Sequence, residues 1–433
     1  MKRTLLTGLV IGAVVALGLT LGCRPAVETV TVETIPSSEP DVNEPPTPVP
    51  ADDLKAIVEA NNHFGIELYK KLAETEKGNI FFSPYSIHAA LSMTYAGARG
   101  ETAAQMAKVL GIEKLGDRVH PAHAELARKL KSDGGKDKPE FNVANGLWGQ
   151  RGLQFQPEFL SLTKRHYGGG FRELDFAKNT EGSRQTINKW VSEQTREKIP
   201  ELIHKGGVTP STALVLANAV YFKGQWAAPF QKGRTIQDKF WVAPDKTVDV
   251  PMMRTTIASA FYTGDGVKIV MLPYQRHQHS MIVVVPDAID GLQNVVRNLI
   301  SEQLRVWLSG LQAGDVHFTF PKFRVSQRYG LSGGLAGLGM PLAFGSEAEF
   351  QGITTQAKFK LEQVIHEAVV EVDEDGTVAA AATAVTGDRP ISNPRPRRNL
   401  SLIVDRPFLF FIIQNSDKAV LFGGAIAHPS IIK

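Results

Sequence analysis

The segment Glu374-Asp375-Gly376-Thr377-Val378-Ala379-Ala380-Ala381-Ala382-Thr383 places the tightest constraint on this chain. It follows an alternating run, Val364 to Val372, that reads as a strand, and it leads into a Gly- and Pro-containing stretch reaching Arg398. In extended backbone, alternate side chains face one way. Thr377, Ala379, Ala381 and Thr383 form one such set, and all four are small. That face can slide between two existing strands without steric conflict, and Gly376 lets the backbone reverse direction ahead of it. The segment therefore reads as the hinge of a loop able to enter a β-sheet. Taken alone, the alanines favour a short helix, because alanine is the best helix former. Taken alone, the acids Glu371, Asp373, Glu374 and Asp375 read as a solvated turn.

The rest of the chain decides between these readings. Lys2 and Arg3 precede an apolar stretch, Leu5 to Leu21, that ends in Gly22-Cys23, so residues 1–23 read as an export signal. Cys23 is the only cysteine, and its position resembles a lipoprotein processing site, with Thr20 where that pattern usually has Leu. Lipidation of Cys23 would anchor the protein to a membrane; an ordinary signal with an incidental cysteine is the alternative. With one cysteine, no internal disulfide forms. Residues 24–53, rich in Pro, Glu, Thr and Ser, read as a disordered tether, and residues 54–433 as one folded domain. A net charge of +4 over 433 residues gives no reason to propose nucleic acid as a partner.

An amphipathic helix begins near Leu54 and stops at Gly78. Asn79 to Phe82 reads as a short buried strand, with Ser83-Pro84 opening a helix that stops at Gly97. Strand-like runs follow at Phe141–Trp148, Ala213–Lys223, Lys268–Pro273, Ser280–Val285, Val316–Phe323, Phe408–Gln414 and Ala419–Ala425. Ser183–Thr195 and Leu292–Leu308 read as helices. Helices crowd the first half and strands the second, which describes one α+β domain.

From Leu54 to Pro429 these residues resemble the serpin family. Asn79 to Met106 is similar to its N-terminal signature, and Leu216 to Trp226 (LANAVYFKGQW) to its central strand and the turn after it. Pro321-Lys322-Phe323, Leu338-Gly339, Asp405 to Phe410 and Leu421 to Pro429 match later landmarks in the same order. The resemblance implies a serpin fold, with several helices packed on three β-sheets and an exposed reactive-centre loop. It implies a monomer without a cofactor that inhibits serine, or cysteine, proteases as a suicide substrate: the cleaved loop inserts into the central sheet and traps a covalent acyl complex. By the same resemblance Glu374, Gly376, Thr377, Ala379, Ala380, Ala381, Ala382 and Thr383 are the hinge. Ser83, Ser86, Asn218 and His366 are a polar shutter beneath the opening sheet, and Trp226 packs where the hinge first enters.

The bait bond stays open between several places. The family's count from Gly376 reaches Pro390-Ile391; one residue fewer gives Arg389-Pro390, where proline hinders a trypsin-like enzyme. Arg395, Arg397 and Arg398 lie in what reads as an extension of the loop. Cleavage there leaves a longer hinge arm and favours plain substrate behaviour. A non-inhibitory serpin that acts as a binding or structural protein is the main alternative. Gly330-Leu331-Ser332-Gly333-Gly334 fits the G-x-S-x-G hydrolase pattern, but Arg328-Tyr329 intervene after Phe323. Arg128, Lys129, Lys131, Lys136 and Lys138 form a basic stretch that reads first as a solvated helix end. No metal-ligand spacing is present.

Overall fold

Leu214–Gln225 is buried on both of its faces, and the architecture is arranged around it. Leu214, Leu216, Val220 and Phe222 face a large core that reaches across to a second sheet, while Val215, Ala217 and Ala219 face a smaller one. A strand that is apolar on both faces cannot lie at a surface. The structure, a computed structural model, describes residues 48–130, 140–168, 170–356, 358, 360–377 and 398–429. Cys23, Lys131, Lys136, Lys138, the hinge alanines, Thr383, Arg389, Pro390, Ile391, Arg395 and Arg397 lie outside them.

Leu214–Gln225 belongs to a six-stranded sheet in the order Phe323–Gly330, Gln363–Val372, Gly376–Thr377, Leu214–Gln225, Glu140–Gln150, Phe171–Leu174. Gln363–Val372 also pairs directly and in parallel with Leu214–Gln225, from Gln363↔Val215 to Val369↔Tyr221. This parallel junction is the seam of the sheet. The other described strands form a nine-stranded sheet. Where three sheets were expected, hydrogen bonding joins the strands into two. The reason is the 19-residue strand Lys246–Gly264, which pairs with Ile236–Ala243 over its first part and with Gln312–Pro321 and Val267–Pro273 farther on. Val316–Phe323 is likewise not one strand. The chain leaves the nine-stranded sheet at Pro321 and enters the six-stranded one at Phe323, with Lys322 alone in the crossing.

The helices are α1 Ala51–Thr75, α2 Pro84–Tyr95, α3 Gly100–Leu110, α4 Val119–Leu130, α5 Pro157–Tyr167, α6 Thr180–Gln194, α7 Leu292–Asn298, α8 Ser301–Ser309 and α9 Ser332–Leu338. The first begins ahead of the boundary at Leu54, because Asp53 is buried and ion-paired with Arg118. Leu292–Leu308 is two helices, broken where Leu299 and Ile300 turn extended. The Ser83 side chain caps α2 by accepting the Ser86 N–H at 3.1 Å. On the far face of the six-stranded sheet, Ile187 and Val191 of α6, with Ile199, Leu202 and Ile203 beyond it, pack on Val215, Ala217 and Ala219 and on Ile365 and Val369. The region of α6 thus covers both sides of the seam.

Candidate functional site: the seam and its hinge

Under the seam, the structure brings Ser83, Ser86, Asn218 and His366 into one buried cluster. The Ser83 backbone N–H donates to His366 Nε2 at 3.1 Å, which leaves the ring proton on Nδ1, donated to Asn218 Oδ1. The Asn218 amide donates in turn to Ser86 Oγ at 2.5 Å and to Asn145 Oδ1. Ser86 Oγ donates to Asn145 Oδ1 at 2.8 Å, and Ser83 Oγ to the Leu421 carbonyl at 2.7 Å. Burial pushes the His366 pKa down to about 3, so the ring is neutral at neutral pH. Asn218 and His366 are register partners across the seam, so their hydrogen bond breaks if the two strands separate. Asn145 completes the cluster and was not singled out in the sequence. Its signal was the register of an Ala-Asn-Gly strand segment against Ala-Asn-Ala, which pairs Asn145 with Asn218.

At one end of the seam, Gly376-Thr377 has already entered the sheet. Thr377 pairs with Val372 on one side and Gly224 on the other, and Gly376 pairs with Gln225. A Cβ on residue 376 would overlap the Gly224 carbonyl oxygen, so only glycine fits this approach. Thr377 is fully buried, and its hydroxyl lies 2.9 Å from Tyr274 Oη. Trp226 stacks on Tyr274 with ring centroids 4.7 Å apart, and its Nε1–H donates to the Asp373 carbonyl at 3.0 Å.

The turn before the hinge is held by two lysines. Lys322, the crossing residue, donates to Glu374 at 2.8 Å, and Thr235 donates to the same carboxylate at 2.7 Å. Burial alone would raise the Glu374 pKa, but the Lys322 ammonium and the Thr235 hydroxyl outweigh it and lower it. Lys232 pairs with Asp375 at 2.8 Å. Glu374 is buried, so Glu374→Gln should lower the stability of the uncleaved protein by roughly 1–3 kcal/mol, chiefly by leaving Lys322 unpaired. A double-mutant cycle in urea with Lys322→Met should give a coupling of about 1–2 kcal/mol, whereas additive losses would show that the two do not act as a pair.

Arg398 opens the edge strand Arg398–Ile403, paired in parallel with Gly314 onward. The bond after it lies inside a ladder, which counts against cleavage there. Around Ser332 the backbone does run from strand to helix, but the hydrolase chemistry is absent. Ser332 Oγ accepts the Val364 N–H at 3.2 Å, and both nitrogens of His366 are engaged elsewhere. In the basic stretch Arg128 is paired with Glu125 and Lys129 with Asp417.

A two-sheet fold with a small-residue hinge wedged into a parallel seam describes a recognised class. The serpin (serine protease inhibitor) family model matches residues 59–429, and the chain belongs to that family. It is 37% identical over 386 residues to the leukocyte elastase inhibitor of Xenopus laevis, which covers 87% of this chain and all of that protein. It is 36% identical over 394 residues to human Serpin B3, with the same shares covered. Among solved structures, uncleaved ovalbumin superimposes with a TM-score of 0.78 at 28% identity, over 86% of this chain and all of ovalbumin. Thyroxine-binding globulin with thyroxine bound gives 0.76 at 29% identity, over 86% of this chain and 99% of that one. The protein belongs to a family of protease inhibitors and is not an enzyme. The relatives named here are animal proteins and lend no weight to a bacterial lipoprotein type.

Proposed function

We propose that this protein inhibits serine proteases by trapping them as covalent acyl complexes, using the seam as the acceptor for its own cleaved loop. The observation that carries this reading is the hinge already paired to both seam strands. Its two registers agree. Thr377 faces Gly224 and Val372, so continuing the same strand puts Thr383 opposite both Asn218 and His366, which face each other at present. The loop can therefore zip down the seam without a register slip. Thr383 would arrive between Asn218 and His366 and offer a hydroxyl where their hydrogen bond is broken. Ala379 and Ala381 would face the large core, and Ala380 and Ala382 the side covered by the α6 region. Smallness on both faces is what such a path requires.

In the reaction the protease serine attacks the bait carbonyl. An ester forms to the hinge-side fragment, the peptide C–N bond breaks, and the new amine leaves on the fragment that continues into Arg398–Ile403. Once the chain is cut, the hinge-side fragment is free to insert. About ten new backbone hydrogen bonds at roughly 0.5–1.5 kcal/mol each give about 10 kcal/mol, comparable with the stability of a whole domain. Insertion carries the ester away before water reaches it. Pro390-Ile391 is the favoured bait bond, with Arg389, Arg395 and Arg397 as alternatives.

The test is to incubate the protein with elastase-like and trypsin-like serine proteases and analyse the mixtures by denaturing electrophoresis and mass spectrometry. The reading predicts an SDS-resistant species whose mass is that of protease plus inhibitor less the C-terminal fragment, which also identifies the bond. Clean cleavage without that species would leave the non-inhibitory alternative. We further place the protein outside the cytoplasm, held at the cell envelope through a lipid on Cys23. The basis is the N-terminal sequence, and detergent-phase partitioning of wild type against Cys23→Ser tests it.

A further inference from the structure

Four histidines meet where α2, α4 and α5 pack together. His88 lies on α2, His120 and His123 on α4, and His166 on α5, and the first three are buried. His88 Nε2 lies 2.9 Å from the Leu110 carbonyl, which can only accept, so that nitrogen carries the proton. A neutral His88 then offers Nδ1 as an acceptor. His123 Nε2, 2.9 Å away, must donate to it, which leaves His123 Nδ1 bare. That atom is buried without a partner, and so is His120 Nε2. His120 Nδ1 is 2.8 Å from Tyr167 Oη, and its ring stacks on His166 with centroids 6.5 Å apart. Among the described residues no His, Cys, Asp or Glu cluster is arranged to hold a metal. One open proton acceptor, His123 Nδ1, and a second unpartnered ring nitrogen, on His120, thus lie inside a packed helix interface.

We propose that this four-histidine interface is an acid-release latch: protonation of His123 at Nδ1, or of the His120 ring, places an uncompensated charge between the helices and frees α4 and α5 from α2. A second proton on His88 would set two N–H groups against each other across the present hydrogen bond. The surrounding charges do not compensate. Around the interface, Asp53 is paired with Arg118, and Asp117 and Arg99 act on Tyr95. On α4 itself Glu125 is held by Arg128, and Lys129 is paired with Asp417. On α5 lie Lys164 and Arg165, and Arg165 together with the other histidines disfavours charge on the rings. Burial first, and these neighbours second, hold His120 near 4 and His123 well below its usual value, while burial also holds His88 near 4. The folded values are depressed, so the latch is intact above the ordinary histidine pKa of about 6.5 and weakens as pH falls from there towards 4. Ser86 precedes His88 by two residues on α2, so release acts beside the polar cluster under the seam.

The proposal does not depend on protease inhibition, and hydrogen exchange of the full chain tests it directly. After correction for intrinsic rates, opening of α4 and α5 should increase by up to about tenfold per pH unit for each ring that charges, so at least about 40-fold between about pH 6.5 and 4.5. The strand Ile236–Ala243 should change little. The double substitution His120→Gln and His123→Gln removes two titrating rings and should flatten the acid response of α4 and α5. Unchanged protection of these helices in acid would overturn the latch, as would a double variant with the wild-type response. If that variant does not fold, the wild-type profile decides alone: loosening confined to α4 and α5 supports the latch, and equal loosening of every element overturns it.

Discussion

Cutting the loop between Thr383 and Arg398 should raise the melting temperature of the protein rather than lower it. Nicking an ordinary loop removes a connection and gains no contact. Here it frees the hinge to continue down the seam from Gly376-Thr377, where three residue pairings are already made. A gain of about 10 kcal/mol in a domain of this size corresponds to roughly 10–15 °C, given an unfolding entropy of about 2 cal/mol/K per residue. Calorimetry before and after limited proteolysis measures it. A nicked form that melts at or below the intact one would mean that the loop stays outside the sheet.

Thr377→Arg should turn an inhibitor into a substrate. Thr377 is fully buried against Tyr274, between Val372 and Gly224. An arginine there would lose the Tyr274 contact and bury a charge for which the site holds no paired partner, which costs several kcal/mol, a large part of the roughly 10 kcal/mol that insertion gains. The variant's resting form has an easier escape, because the hinge can retreat to solvent at the loss of its three residue pairings. Folding should survive while insertion slows by two orders of magnitude or more, and deacylation then wins. The stoichiometry of inhibition should rise at least about tenfold, with the loop cleaved and the SDS-resistant species lost. Wild-type stoichiometry in this variant would remove Thr377 from the path.

How much of this was legible in the sequence depended on the range of the interaction. The hinge was not legible from its own residues, because the alanines taken alone favour a helix and only the motifs that flank them reverse that reading. Four members of the polar cluster were visible only through the family resemblance, since nothing local marks their side chains as meeting. Asn145 was not, because its role comes from a strand register with Asn218. Tyr274 was hidden for a similar reason: it meets Thr377 from 103 residues away. The Lys322–Glu374 pair depends on the chain changing sheets at Lys322, and a run of β-formers from Val316 to Phe323 conceals that crossing. Lys246–Gly264 was missed as a strand because much of it is exposed and it contains Pro251. The three sheets expected came from the family resemblance, and this strand is what joins two of them by hydrogen bonding. The break between α7 and α8 left no Gly or Pro to mark it.

The central claim is that the segment after Thr377 becomes a strand between Leu214–Gln225 and Gln363–Val372. Hydrogen exchange of the cleaved protein, read at residues 379–386, tests it most directly. The account predicts that these amides become as protected as those of Leu214–Gln225, because each would lie in a ladder between two strands. Exchange there as fast as in an exposed loop, with the seam strands unchanged, would contradict it.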